Sequence, residues 1–448
     1  MEYRTVHDEG RNQRFRGGGW YSAATPRTLG DVRWVERFGP LKERPFRLLW
    51  LGRTGSAVGD SMIPVALIWT VGHDLHGGPK WLGVVLAANL VGGGAATLAG
   101  GVWADRLPRR FMMIAADLTR LLTQSVTAVL LFSGTAQAWE LAILQGMAGA
   151  AAGFFNPAST ALIPQTVSAE RLQQANALVA TSQSATRIFG PSLSGLLIAV
   201  AGSGWVFAVD AGSFLFSVVF VAAMRVAPHV RPVSQRFRTD LADGWREVRR
   251  HRWLTAGFLG YAIGNIGIGV YIVVGSLVVI ERLGGAWAWA LILGAAAVGG
   301  TLGGVVAYRI RPLHPVAAAF GIWTLTALPP LALIQPLPLP AVMVAGLFFG
   351  ASILVGNTLW ETAMQQEVRP DRLARVASID ALLSICLMPV GQLLAGTLEA
   401  GIGVRATLLL AAALMCVPNL AVVVFVRDVR AVRGATTPLR PQAAAPAE

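Results

Sequence analysis

The sequence predicts an all-α membrane protein of 12 transmembrane helices in two six-helix halves, with both termini cytoplasmic. Three observations lead there: an apolar composition, the distribution of arginine between loops, and an internal repeat. Only 14% of the 448 residues are charged and 54% are hydrophobic, with a mean hydropathy of +0.56. Soluble chains carry about 25% charged residues, so a set of water-exposed domains of this length would lack a charged skin.

A spanning helix takes about 20 apolar residues. Apolar segments run approximately over 47–71, 81–103, 111–133, 138–163, 174–200, 204–225, 254–280, 287–307, 315–334, 339–362, 376–399 and 404–426. Residues 1–46 form a polar, Gly- and Arg-rich tail, read as a disordered cytoplasmic segment without the apolar core of a signal peptide. The first six spans fill 47–225 and the second six 254–426. Between them, the cytoplasmic linker 226–253 spaces Phe237, Leu241, Trp245 and Val248 helically among arginines. That pattern fits an amphipathic helix on the membrane surface, or a solvated basic linker. Residues 427–448 read as a cytoplasmic C-tail.

Orientation follows from the loops. Of the 37 basic residues, 31 lie in the two tails and in the loops on the same side of the membrane, which makes that side cytoplasmic by the positive-inside rule. Spans 2, 4, 6 and 8 begin at or beside Trp81, Trp139, Trp205 and Trp287, on the opposite side, where indoles suit the headgroup layer. The halves also repeat: Gln165 to Leu172 aligns with Gln366 to Leu373 at an offset of 201 residues. Six spans repeated in parallel are the architecture of transporters with a site between two halves near the midplane.

Several chemistries are excluded. The formal charge of +13 does not mark nucleic-acid binding, because the arginines flank the spans instead of clustering on one domain. No phosphate-binding Gly-x4-Gly-Lys-[Ser/Thr] loop occurs. Neither a His-Glu-x2-His nor a cysteine-pair metal site occurs, and the two cysteines, Cys386 and Cys416, lie in apolar runs. The sequence therefore predicts neither an enzyme nor a protein with a cofactor or metal.

Gly101-Val102-Trp103-Ala104-Asp105-Arg106-Leu107-Pro108-Arg109-Arg110, between spans 2 and 3, resembles the loop signature of the major facilitator superfamily. Asn156-Pro157, Leu162-Ile163-Pro164, Arg171-Leu172, Asn176-Ala177-Leu178 and Arg187-Ile188-Phe189-Gly190-Pro191 resemble the branch of enterobactin exporters and macrolide efflux permeases. The resemblance covers about residues 46–427. Pro108 departs from the usual glycine, Tyr308 replaces the aspartate in the second copy, and the span 5 antiporter signature keeps only Gly190, Pro191 and Gly195. The resemblance implies the major facilitator fold in a bacterial inner (cytoplasmic) membrane, working as a monomer. It also implies proton-coupled efflux of a small amphipathic molecule (a drug, siderophore or secondary metabolite) by alternating access. Nutrient import or facilitated diffusion, lipid flipping, and membrane sensing without transport are the alternatives.

Candidate residues follow. Gly101, Asp105, Arg106, Arg109 and Arg110 are, by resemblance, a latch that closes the inner gate. Asp117 and Arg120, three apart on one helix face, are expected to form an ion-pair network coupled to it. Ionisable residues inside spans are costly and mark function or pairing. Asp60, about 20 Å from the inner end of span 1 at 1.5 Å per residue, is the first candidate to carry a proton or pair with substrate. Arg53 shares its face, and Arg187, near the middle of span 5, is expected to pair with a carboxylate or an anionic group. Asn156, Asn265, Asn357 and Trp360 are candidates for a cavity wall or for interhelical bonding. Gly190, Pro191 and Gly195 are the candidate hinge, and Asp210 is expected to be paired structurally.

Overall fold

The computed structural model describes residues 39–103, 108–225, 245–368 and 370–432, and no strand occurs among them. A helix occupies each apolar segment: α1 Arg44–Trp69, α2 Gly78–Trp103, α3 Arg109–Ser133, α4 Ala138–Leu162, α5 Leu172–Ala201 and α6 Ser203–Ala223. After a short helical turn at 245–250 come α7 Arg252–Arg282, α8 Ala286–Arg309, α9 Pro315–Ile334 and α10 Leu339–Glu367. The helical stretch Pro370–Phe425 turns at Gly403 into α11 (370–402) and α12 (404–425).

Among the described residues, eight helical stretches are long and apolar enough to cross a membrane, Leu387–Phe425 counting as one. Helices α1, α2 and α4 are not among them; α1 and α4 carry polar residues in mid-helix, Arg53 and Asp60 in one, Gln145 and Asn156 in the other. The segment expected as a continuous ninth span is broken by a 3-10 turn at Thr324–Ala327. Pro329 and Pro330 lie just beyond it and have no N–H to donate back to that turn.

Local chemistry ends the helices. Gly134 closes α3 in the left-handed conformation, with φ 68°, which glycine adopts without a Cβ penalty. Gly202 turns α5 into α6 at φ 92°, ψ 165°, and Gly403 turns α11 into α12 at φ 80°, ψ 163°. These glycines are separated by the same 201 residues as the sequence repeat.

The repeat also sets matching polar contacts. Glu43, just before α1, accepts hydrogen bonds from the Ser168 backbone N–H and hydroxyl (3.1 Å each) and from Arg171 at 3.3 Å. Glu247, just before α7, is bound by Arg372, by Arg250 at 3.4 Å and by His251 at 3.6 Å. Burial alone would raise the Glu247 pKa, but the Arg372 hydrogen bond and the charges of Arg372, Arg250 and His251 hold it below the usual glutamate range. A depressed carboxylate pKa gives stability that is complete above the unfolded value of about 4.3 and is lost as pH falls through the folded value. Glu247→Gln is therefore expected to lower the unfolding temperature at pH 7, with the gap to wild type closing as the scan moves below pH about 4.

Two groups of helices result. In the first, α1 packs on α5 and α6, α2 on α4, and α3 on α4 and α6; in the second, α7 packs on the α11–α12 stretch, α8 on α10, and α9 on α10; α2 also packs on the α11–α12 stretch and α5 on α8, across the two. The α2–α4 seam is backbone on backbone: a Cβ at Gly149 would stand 2.0 Å from the Asn89 carbonyl oxygen, and one at Gly153 would stand 2.4 Å from that of Gly93. Small residues permit this approach in membrane helices. Gly149→Val must push the two helices apart, and overpacking costs about 1–3 kcal/mol. The expected result is a lower yield of monodisperse protein by size-exclusion chromatography, while the same change at Gly212, whose Cβ would meet nothing within 4 Å, is tolerated.

The apolar cores show how the groups meet. One core is shared: it joins Met62–Val71, Leu82 and Val85 of the first group to Val270–Val279 and Ala286–Ile292 of the second. Contacts of Gly83 with Gln392 and of Gly195 with Trp287 belong to the same end. Towards the end that carries residue 39 and the turn at 245–250, the core divides. Phe46, Met113, Phe155, Ala175 and Val221 pack within the first group, and Trp253, Phe320, Trp360, Val376 and Val422 within the second. Among the described residues the apolar core is shared at one end and divided at the other.

Candidate functional site

Helix α1 has an uninterrupted helical backbone through Asp60 and Pro64, and Asp60 falls two residues before Met62, where the shared core begins. Its side chain is 47% exposed, and its Oδ2 accepts from Arg120 Nη1 at 3.0 Å. Arg120 is 3% exposed, and its other nitrogen binds Asp117, one turn earlier on α3. Asp117 is fully buried and accepts from the Ser217 hydroxyl of α6 at 2.6 Å. The guanidinium lies against the rings of Phe155 (4.6 Å) and Phe214 (4.3 Å), which favours the cation.

A second polar line crosses the same helices. Asp210 of α6, also fully buried, accepts from Gln124 Nε2 at 2.9 Å, and Gln124 Oε1 accepts from Gln145 of α4 at 3.2 Å. Asn89 of α2 donates to the Gln145 side chain at 3.3 Å. A Cβ at Gly59 would touch Asp210 Oδ1 at 2.2 Å, so Asp210 lies against α1 one residue from Asp60. Three carboxylates thus lie around Arg120, and of the three only Asp60 is exposed.

The expected residues divide. Asp60, Asp117 and Arg120 form one network, which ties α3 to α1 and α6. Asp105 and Arg106 lie outside the described residues, and Gly101 is placed only as part of α2. Arg109 donates to the Ala161 carbonyl at 2.7 Å; Arg110 donates to the Val221 carbonyl at 3.1 Å and to Ala222. Both cap carbonyls near the ends of α4 and α6, which carry partial negative charge. Arg53 does not meet Asp60; the Gln183 amide oxygen faces its Nε at 3.3 Å and its Nη2 at 2.8 Å.

Arg187 has no ion pair among the described residues and is exposed, against the expectation of a paired arginine. It lies on the face of α5 opposite the exposed apolar stripe Phe189, Leu193 and Leu196, one turn before Gly190, which packs on Ser61 beside Asp60. Helix α5 runs unbroken through Pro191; Gly190 and Gly195 are contact points with α1 and α8 rather than a visible hinge. Asn156 is exposed.

Trp360 does not line an opening. It is 4% exposed, is enclosed by the rings of Trp253, Phe258, Phe320 and Trp323, and donates to Asp380 at 3.3 Å. Asn265 and Asn357 line a separate cavity inside the second group. Sequence reasoning missed Gln124 and Ser217. Gln124 had a signal: Asp117, Arg120, Thr123, Gln124 and Thr127 fall on one face of α3, and all are buried. Nothing in the sequence marked Ser217.

A sequence profile of the Major Facilitator Superfamily matches residues 49–389. The multidrug efflux pump Tap of Mycolicibacterium fortuitum is 26% identical over 393 residues, covering 82% of this chain and 92% of the relative. Macrolide efflux protein A of Streptococcus pyogenes is 24% identical over 395 residues, covering 83% and 95%. A POT family transporter solved with 5-aminolevulinic acid superposes with a TM-score of 0.67 at 12% identity, covering 86% of this chain and 97% of that one. A D-xylose-proton symporter gives 0.59 at 14% identity, covering 89% and 99%. With three-quarters of its length inside the profile and the fold of solved transporters, the chain belongs to the Major Facilitator Superfamily of multi-pass membrane transporters.

Proposed function

We propose that this protein exports a small amphipathic molecule from the bacterial cytoplasm by proton antiport. It would do so through 12 spans whose two groups of six rock about the shared core, with both termini inside. The observation that carries the reading is the chain from exposed Asp60 through Arg120 to buried Asp117 and Ser217. The efflux relatives support the direction of transport.

The chemistry follows from charge. Three carboxylates crowd one guanidinium, and ions out of water cost several kcal/mol each unless compensated. A proton is the available second counter-charge, and Asp60 is the member that can exchange it with water. In an inward-open state Asp60 would release its proton inward while cargo enters. Rocking about the shared core would then present both to the outside. One charge moving through 100 mV supplies about 2.3 kcal/mol.

The test uses everted vesicles carrying the protein and energised to a pH gradient. Adding a panel of macrolides, cationic dyes and siderophores is expected to collapse the gradient for at least one of them, with that compound accumulating in the vesicle lumen. Uptake of a nutrient into intact cells would favour an importer. Lipid movement in liposomes without added drug would favour a flippase. Flux of nothing by folded protein would leave a sensor.

A further inference from the structure

The second group of helices frames a half-open cavity of about 280 Å³, lined by none of the residues of the Asp60 network. It lies between α7, α9, α10, α11 and α12, with walls of Ile268, Phe349, Met388 and Met415 and no charged side chain among its lining. Two of the lining amides are nearly fully buried, Asn265 at 6% and Asn419 at 4% exposure. Asn419 Nδ2 donates to the Met415 carbonyl at 2.7 Å, while its Oδ1 has no partner; Asn265 Nδ2 also has none. The two face each other's level on antiparallel α7 and α12, between the contacts Gly260–Val422 and Gly267–Ala411.

A buried polar group left without a hydrogen bond costs about 1–3 kcal/mol, and native proteins rarely keep two in one place without a use. An apolar chamber with a few convergent polar atoms, close to the lower end of the ~300–1,000 Å³ typical of ligand sites, is the usual form of a small-molecule pocket. A charged ligand would be desolvated there with no counter-ion. Methionines on two walls supply an adaptable surface.

We propose that this cavity binds a neutral, compact, ring-bearing lipophile whose hydroxyl or carbonyl bridges Asn265 and Asn419, and that this is the cargo of the exporter. The second clause rests on the exporter reading; the first does not. Binding of the cargo's body in one group and of the proton in the other would divide the two tasks between the groups.

Gly264 supplies the decisive variant. It lines the cavity, and a Cβ there would meet nothing within 4 Å, so Gly264→Leu directs its bulk into the chamber from a position with room for the first added atom. Replacing a mid-helix glycine also favours the helix, so the unfolding temperature is expected to stay the same or rise. Asn265→Leu, of similar volume, is the second variant.

The probe is an aryl-diazirine benzyl alcohol, photolysed with the full-length protein in nanodiscs and mapped by peptide mass spectrometry. The amine analogue, cationic at pH 7, is its matched control. Saturable labelling on α7, α10 and α12 is expected, falling at least about fivefold with either variant and with the amine. Saturable labelling on α1, α5 or α8 would overturn the proposal, as would pocket labelling indifferent to Gly264→Leu. So would native mass spectrometry showing a phospholipid that Gly264→Leu displaces. Pocket labelling without energised export of any neutral aromatic would leave the site standing and defeat the exporter reading. Export of such a compound unaffected by Gly264→Leu would do the reverse.

Discussion

Arg120→Ala is expected to destabilise the protein by about 3–5 kcal/mol, the usual cost of removing one partner from a buried ion pair. The guanidinium is the cation at the centre of the Asp60, Asp117 and Asp210 cluster, bonding the first two directly. Without it, Asp117 keeps only the Ser217 hydroxyl, and the packing against Phe155 and Phe214 is also lost. Thermal unfolding of detergent-purified protein checks the magnitude. Arg120→Lys should recover only part of it, since a single ammonium cannot reproduce the planar fork that reaches two carboxylates. Arg120→Ala with Asp117→Asn should be more stable than Arg120→Ala alone, because one uncompensated charge is gone. An unfolding temperature for Arg120→Ala within a degree of wild type would remove the network from the account of stability.

Asp60→Asn is expected to act on coupling and not on folding. Its side chain is nearly half exposed, and the amide oxygen can still accept from Arg120. What the substitution removes is the one exposed carboxylate of the cluster. Coupling energies between sites are typically worth roughly 5–150-fold. Substrate-induced collapse of the pH gradient in everted vesicles should therefore fall by that order, while downhill exchange of preloaded substrate continues at a rate close to wild type. Equal gradient collapse in both proteins would take Asp60 out of the proton path. Loss of exchange together with coupling would make it a substrate-binding group instead.

The helical segments and the superfamily were legible in the sequence, because apolar run length and the loop motif are local features, whereas the 3-10 break at Thr324–Ala327 was not. The Asp117–Arg120 pair was legible too, as two charges one turn apart on a single helix. The partner of Asp60 was not. Arg53 lies seven residues away on the same helix, and periodicity alone favours it. Yet a helix holds its own side chains along its surface, two turns apart, while the packing of α3 on α6 and α6 on α1 brings Arg120 within 3.0 Å. Trp360 misled for a related reason: an indole near the end of an apolar span suits a cavity wall or an aromatic cluster equally well.

By itself, then, the sequence determined what is local: a helical chain too apolar for water, with intramembrane charges costly enough to need a use. Which charge meets which, that Arg187 meets none among the described residues, and that two asparagines 154 residues apart share one cavity, only the tertiary structure decided. Side-chain pairing between helices depends on their crossing and register. Those are set by where glycine lets backbones touch and by how the cores divide, sums over the whole chain that no window of sequence contains.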